Sequence, residues 1–159
     1  MSPGGVPKRP VEQAEVTSAG LAGDAQRDRE HHGGPDRALC LFSMELIRSL
    51  QAEGHPIQPG HIGENLTVEG LDWVTVTPGA RLLLGADVLV EVTRYTSPCL
   101  NIRASFTGGD YARVSQKRHP GASRVYARVL RTGPIRRGDP VRLLTPSPQP
   151  SPPLGEKAG

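Results

Sequence analysis

The chain has 159 residues, 19 Lys and Arg against 16 Asp and Glu, a net charge of +3, 19 glycines, 16 prolines and only 4% aromatics. That length fits one domain with a real core and cramps two, and the glycine- and proline-rich, aromatic-poor balance favours short strands and many turns over a helical bundle. The charges are mixed rather than blocked, nowhere do eighteen apolar residues run together, and Met1–Pro10 has no apolar leader, so nucleic acid and membrane are not expected as partners and a cytoplasmic location is.

Residues 1–9 are expected to form a flexible N-terminal segment, followed by a domain over 10–145. Val11 to Thr17 alternates enough for a first strand, and Gly20 to Asp24 turns the chain. Asp24, Asp28 and His32 stand four apart, but glycines on both sides leave too little room for a helix, and the segment reads as a functional loop. Gly33-Gly34-Pro35-Asp36 is a turn signal, and Ala38 to Phe42 follows as a buried strand. Ser43 is placed to cap a helix from Met44 to Ala52, with Met44, Ile47 and Leu50 on one face and Gly54 as its stop.

Pro59 to Leu66 is loop, and short apolar stretches follow at Leu66–Val68 and Leu71–Val76. Arg81–Leu84 and Asp87–Thr93 form a hairpin about Gly85-Ala86, and their continuous apolar character implies burial on both faces, as in a barrel wall. Asp110 is placed to cap a second helix, Tyr111 to Arg118, stopped by Pro120-Gly121. Val125–Arg131 and Val141–Leu144 complete the strands, with Gly133 to Asp139 joining them. Prolines at 146, 148, 150, 152 and 153 make residues 146–159 a disordered, proline-rich tail.

Two cysteines in a reducing compartment read as free thiols, and the five histidines lack the spacing of a structural zinc site. Cys40, inside Ala38 to Phe42, reads as core packing. Cys99 follows a strand in Thr96-Ser97-Pro98-Cys99-Leu100-Asn101, where Pro98 has no N–H and biases Ser97 toward extended backbone, so the strand ends and presents the next side chain at its mouth. Arg94 and Arg103 flank it and would favour the thiolate if they approached. An ordinary small apolar role for Cys99 stands beside that reactive one.

Four segments keep a fixed order: Gly4 to Lys8, Gly23 to Arg37 with His32-Gly33-Gly34-Pro35-Asp36-Arg37, Gly63-Glu64-Asn65-Leu66, and Ser97-Pro98-Cys99. With the closing pattern Ser123 to Leu130, Gly133 and Gly138-Asp139-Pro140-Val141, they make the chain similar to the MOSC domain family, named for the C-terminal domain of molybdenum cofactor sulfurase. The resemblance implies a fold that is mainly β with a few short helices, a closed β-barrel-like domain standing alone.

It also implies a site at Cys99, either binding the metal of a molybdenum cofactor through its thiolate, in support of reduction of N-hydroxylated compounds, or carrying a persulfide for delivery to metal–sulfur centres. A non-catalytic cofactor-binding module is the further alternative. Lys8, Gly33, Gly34 and Arg37 would then face the cofactor's phosphate, Glu64 and Asn65 the polar ring atoms, and His32 and Gly63 would complete the cofactor-binding set. Each has a structural counterpart: backbone freedom for the glycines, a loop-fixing ion pair for Arg37, a loop-holding hydrogen bond for His32, and a turn cap for Glu64 and Asn65. Lys8 lies in the terminal segment expected to be mobile.

With no Rossmann fingerprint and no iron–sulfur cysteine set, redox turnover of a small-molecule substrate requires a separate electron-donor protein, and sulfur relay a sulfur donor. A homodimer would supply a missing wall to the site. Pyridoxal phosphate, also associated with the family, is not expected, because Lys8, Lys117 and Lys157 are read as lacking the buried setting of a Schiff-base lysine.

Overall fold

Alternation of apolar and polar residues, punctuated by glycine, gives this chain its strands. A computed structural model of the protein describes Lys8, residues 10–23 and residues 35–144. The readings made for Gly4 to Pro7, Asp24, Asp28, His32, Gly33, Gly34 and the proline-rich tail lie outside the described residues.

Among the described residues the strands are β1 (Gln13–Thr17), β2 (Gly20–Leu21), β3 (Leu39–Ser43), β4 (Leu66–Val68), β5 (Arg81–Leu84), β6 (Val88–Tyr95), β7 (Val125–Arg131), β8 (Gly133–Arg136) and β9 (Val141–Leu144), with one α-helix, α1 (Met44–Ala52). They form a strongly curled six-stranded half-barrel in the order β4-β3-β7-β6-β5-β9 and a small sheet in the order β2-β1-β8. All pairings are antiparallel except β3 with β4, which α1 separates as a crossover. The mainly β, barrel-like fold with short helices is as expected.

The core fills the curl. Phe42, Leu39 and Leu41 of β3, Leu82 of β5, Val88 and Val90 of β6, and Ile47 and Leu50 of α1 are fully buried. At about 25 cal/mol per Å² of apolar surface, each contributes on the order of 2 kcal/mol. Ser43 caps α1 as anticipated, its Oγ accepting from the Leu46 N–H at 3.2 Å. Trp73, the only tryptophan, packs edge-on against Phe42 and donates its indole N–H to the Ser123 carbonyl at 2.8 Å.

Several local expectations are corrected. The second helix is only a four-residue 3₁₀ turn, Tyr111–Val114: Asp110 makes no side-chain cap, Ser115 is already extended, and Arg113 is drawn to Glu53 in a two-pronged ion pair at 2.7 and 2.9 Å. Gly133–Asp139 is not merely a connection, since β8 occupies its first half and pairs with β1 from Gly133 to Arg136. Pro134 is tolerated there because β8 is an edge strand. Gly20 and Leu21 form β2 rather than simple turn, with Gly20 at a φ of 117° and its Cα against the Ala38 carbonyl, where a Cβ would overlap. Finally, β6 alternates between buried Val88, Val90 and Val92 and half-buried Leu89, Glu91 and Thr93, so its outer face is not sealed. That face carries Arg81 and Arg128 on either side of Glu91, whose carboxyl they hold below the usual range.

Candidate functional site

Three chain segments meet around β7. The first is the 3₁₀ turn Pro35–Arg37 leading into β3, anchored because Thr93 Oγ1 of β6 donates to the Asp36 carbonyl at 2.5 Å. This sets the Arg37 guanidinium 5.5 Å from the centre of the Tyr126 ring, a cation–π contact. Tyr126 lies between Cys40 of β3 and Arg94 of β6 in the ladder, next to a register shift in β6 between Val92 and Arg94. Such irregularities re-aim side chains where a strand borders a site.

The second segment leaves β6 through Thr96-Ser97-Pro98 to Cys99. The Thr96 N–H donates to the Arg124 carbonyl at 3.1 Å, and the Cys99 carbonyl accepts from Ile102 at 3.2 Å to start the 3₁₀ helix Leu100–Ser105. Cys99 is extended and half-buried, a free thiol at the strand mouth. It stands within electrostatic reach of Tyr126, as do Cys40, Arg37 and Arg124; burial first, then the two sulfurs, push the Tyr126 hydroxyl up to about 12 against the pull of the arginines.

The third segment is the loop from Pro59 to Asn65. Asn65 clips it to β3: its Oδ1 accepts from the Cys40 N–H at 2.7 Å while its own N–H donates to the Cys40 carbonyl at 2.8 Å. Arg124 reaches back from the start of β7 to donate Nη1 to the Ile62 carbonyl at 2.7 Å. Gly63 has a φ of 87°, the left-handed backbone that favours glycine. Glu64 is only 2% exposed, and burial pushes its carboxyl up to about 7; backbone dipoles of Glu64, Ile62 and Gly60 and the charge of Arg124 only partly offset this. Lys8 is buried, contrary to the exposed setting expected, because its N–H pairs with the Gly60 carbonyl at 2.8 Å; a Cβ on Gly60 would overlap the Lys8 carbonyl oxygen.

The expected residues therefore fall in two linked groups. Arg37 stacks on Tyr126 and Cys99 is within electrostatic reach of it, whereas Lys8, Glu64 and Asn65 line a groove of about 690 Å³ between the small sheet and the β4 edge, whose described lining does not include Cys99. Cys40, raised to about 12 by burial, and Arg124 bridge the two: Arg124 acts on Cys40, Glu64 and Tyr126, and Glu64 and Lys8 act on Cys40. Neither Arg94 nor Arg103 is the buried cation here, since both are exposed and Arg103 is turned to the Leu100 carbonyl.

Arg124 and Tyr126 were not singled out as site residues from sequence. The burial of Arg124 appears only in the fold, where an arginine is rarely buried without a polar task. Among the described residues, four buried side-chain atoms lack a hydrogen-bond partner: both carboxylate oxygens of Glu64, Thr96 Oγ1 and Arg124 Nε. Buried polar atoms are normally paired, and these all belong to the segments just described. A half-buried soft sulfur, with guanidinium groups at the neighbouring positions, Arg37 on Tyr126 and Arg124 itself, suits an anionic cofactor bound through a thiolate-seeking metal. Among the described residues no group of three His, Cys, Asp or Glu side chains forms a metal cage.

A MOSC domain family model matches residues 28–142. The chain belongs to the MOSC domain family. It is 32% identical over 143 residues to YflK of Bacillus subtilis (strain 168), covering 89% of this chain and 63% of YflK. It is 30% identical over 134 residues to YiiM of Escherichia coli (strain K12), covering 82% of this chain and 58% of YiiM. The crystal structure of YiiM from Geobacillus stearothermophilus superposes with a TM-score of 0.66 at 28% identity, covering 89% of this chain and 65% of that one. The chain thus spans about three fifths of the length of these relatives. A protein of Gibberella moniliformis named as a reductase is also 30% identical, over 133 residues that make up 23% of its length.

Proposed function

We propose that this MOSC domain binds a molybdenum cofactor through the Cys99 thiolate and supports the reduction of N-hydroxylated small molecules. The observation that carries the reading is a half-buried free thiol at the mouth of β6, within electrostatic reach of Tyr126, on whose ring the Arg37 guanidinium sits, amid buried polar atoms that lack partners. The kinship to a reductase is in keeping with it. When bound, the cofactor would supply a two-electron redox centre, and the net reaction takes two electrons and two protons to convert an N-hydroxyl to an N–H and release water.

The chain's own residues do the rest. Cys99 supplies a soft anionic ligand from an extended backbone that the following 3₁₀ turn holds in place. Arg37 and Arg124 offset negative charge around it and answer anionic groups, and Tyr126, kept as a neutral phenol, is able to donate a hydrogen bond at neutral pH. Electrons come from a separate donor protein. Two free cysteines accord with a reducing, cytoplasmic setting.

The test is molybdenum analysis, with pterin fluorescence after oxidation, of wild type and Cys99→Ala expressed in a host shown to make the cofactor. Molybdenum and pterin in the wild type and loss of metal in the variant are expected. Absence from both proteins refutes the reading and turns attention to the persulfide carrier, which mass spectrometry would reveal as added sulfur on Cys99.

A further inference from the structure

We infer that a small cleft where β6 ends seats a proline-rich segment in polyproline-II form, and that the segment is the chain's own residues 146–153. The cleft, about 210 Å³, is lined by Trp73 and Val74 of the 3₁₀ turn Trp73–Thr75, by Tyr95 at the end of β6, and by Gln116 and Pro120. It is smaller than the ~300–1,000 Å³ of sites for drug-sized ligands, so it suits a ring on a peptide and not a whole small molecule. Aromatic faces beside a hydrogen-bond donor are what a polyproline-II helix docks on, because its rings fill the gaps between aromatics and its carbonyls stay open to accept. Trp73 is not that donor, since its indole N–H already serves the Ser123 carbonyl at 2.8 Å. Gln116 is: its Oε1 accepts from the Gly121 N–H at 3.0 Å, which leaves the side-chain NH₂ on the other side, without a hydrogen bond among the described residues. Val74, 65% exposed, is the most exposed large apolar side chain among the described residues, and a ring seated against it removes that surface from water.

The course of the chain brings such a segment to it. Prolines stand at 146, 148, 150, 152 and 153, soon after β9 and outside the described residues. Leu144, which ends β9, pairs with Arg81 of β5, and Arg81 pairs with Glu91 of β6. Because β5 is antiparallel to both neighbours, β9 runs the same way as β6, and the chain leaves Leu144 in the direction that β6 takes from Glu91 to Tyr95. Four residues along at ~3.3 Å and two strands across at ~4.8 Å put the cleft about 16 Å from Leu144. Five or six polyproline-II residues cover that distance at ~3.1 Å each, so Pro150, Pro152 and Pro153 are the rings that reach Trp73 and Tyr95.

The test compares the full-length wild type with a full-length triple variant, Pro150→Ala, Pro152→Ala and Pro153→Ala, whose substitutions lie beyond the last described strand. Each is titrated with a synthetic peptide of residues 145–154, and binding is read from the emission of Trp73, the only tryptophan, and from the ¹H–¹⁵N shifts of Val74, Tyr95 and Gly121. The triple variant is expected to bind the peptide saturably. A short tether gives an effective concentration on the order of 1 mM, so a peptide with a Kd of about 0.1 mM for the open cleft should bind the wild type about tenfold more weakly. A peptide with alanine at every proline should bind neither protein, and adding Val74→Arg to the triple variant should abolish binding. No binding to the triple variant, equal binding of the alanine peptide, or persistence of binding with Val74→Arg overturns the inference. Equal affinity of wild type and triple variant also overturns it and leaves the cleft open to a proline-rich partner, and a proline-dependent dimer in sedimentation overturns it in favour of a second copy.

Discussion

Replacing Glu64 by glutamine should stabilise the protein at pH 8 and change it little at pH 4.5. The folded carboxyl is raised from 4.5 to about 7, chiefly by burial. Between those values the folded chain keeps a proton that the unfolded chain has released, so stability falls as pH rises through that window, and above pH 7 the folded state carries the whole penalty. A shift of that size corresponds to about 3 kcal/mol. Glutamine imitates the protonated form in shape and cannot ionise, so the variant escapes the penalty. Glu53 and Glu91, held low by Arg113 and by Arg81 with Arg128, contribute in the opposite direction at acid pH, but equally in both proteins. The assay is urea unfolding followed by Trp73 fluorescence, for wild type and Glu64→Gln, at half-unit steps from pH 4.5 to 8. A difference in stability that grows with pH is expected; one that stays flat, or that favours the wild type at pH 8, refutes the placement of a buried carboxyl without adequate partners.

Alkylation by iodoacetamide should distinguish the two thiols: Cys99, half-buried, is labelled in the native protein, while Cys40, buried and raised to about 12, is labelled only after denaturation, as peptide mass spectrometry would show. Gly60→Ala should lower stability by about 1–3 kcal/mol, read as a drop in melting temperature, because a Cβ at a φ of 83° overlaps the Lys8 carbonyl. Asn65→Ala removes the acceptor of the Cys40 N–H and should cost about 1–3 kcal/mol in urea unfolding; a neutral result would mean that the clip is not needed to dock the loop.

Local chemistry made some of this legible and hid the rest. Ser43 followed by Met44, Ile47 and Leu50 is a complete local statement of a helix, and α1 is there. Tyr111, Val114 and Arg118 give the same periodicity, yet a tertiary pull wins, because Arg113 binds Glu53 on the far side of Gly54. Strand β8 was obscured by Gly133 and Pro134, residues that disfavour a central strand but not an edge one. The place of Cys99 at the end of a strand is announced by Pro98 and the end of an apolar run. Arg124 is not, since its hydrogen bond to Ile62 and its electrostatic influence on Cys40 and Glu64 join residues distant in sequence.

The clip between Asn65 and Cys40 has a thermodynamic consequence. By accepting from and donating to one strand residue, Asn65 extends the parallel β3–β4 ladder beyond its first regular pair, Leu41 with Leu66, and turns the end of a loop into part of the sheet. The motion of residue 64 is therefore restricted when the chain folds, not when a molecule arrives. The entropy of ordering this loop is thus lost once, in the cooperative formation of the sheet, and not again afterwards.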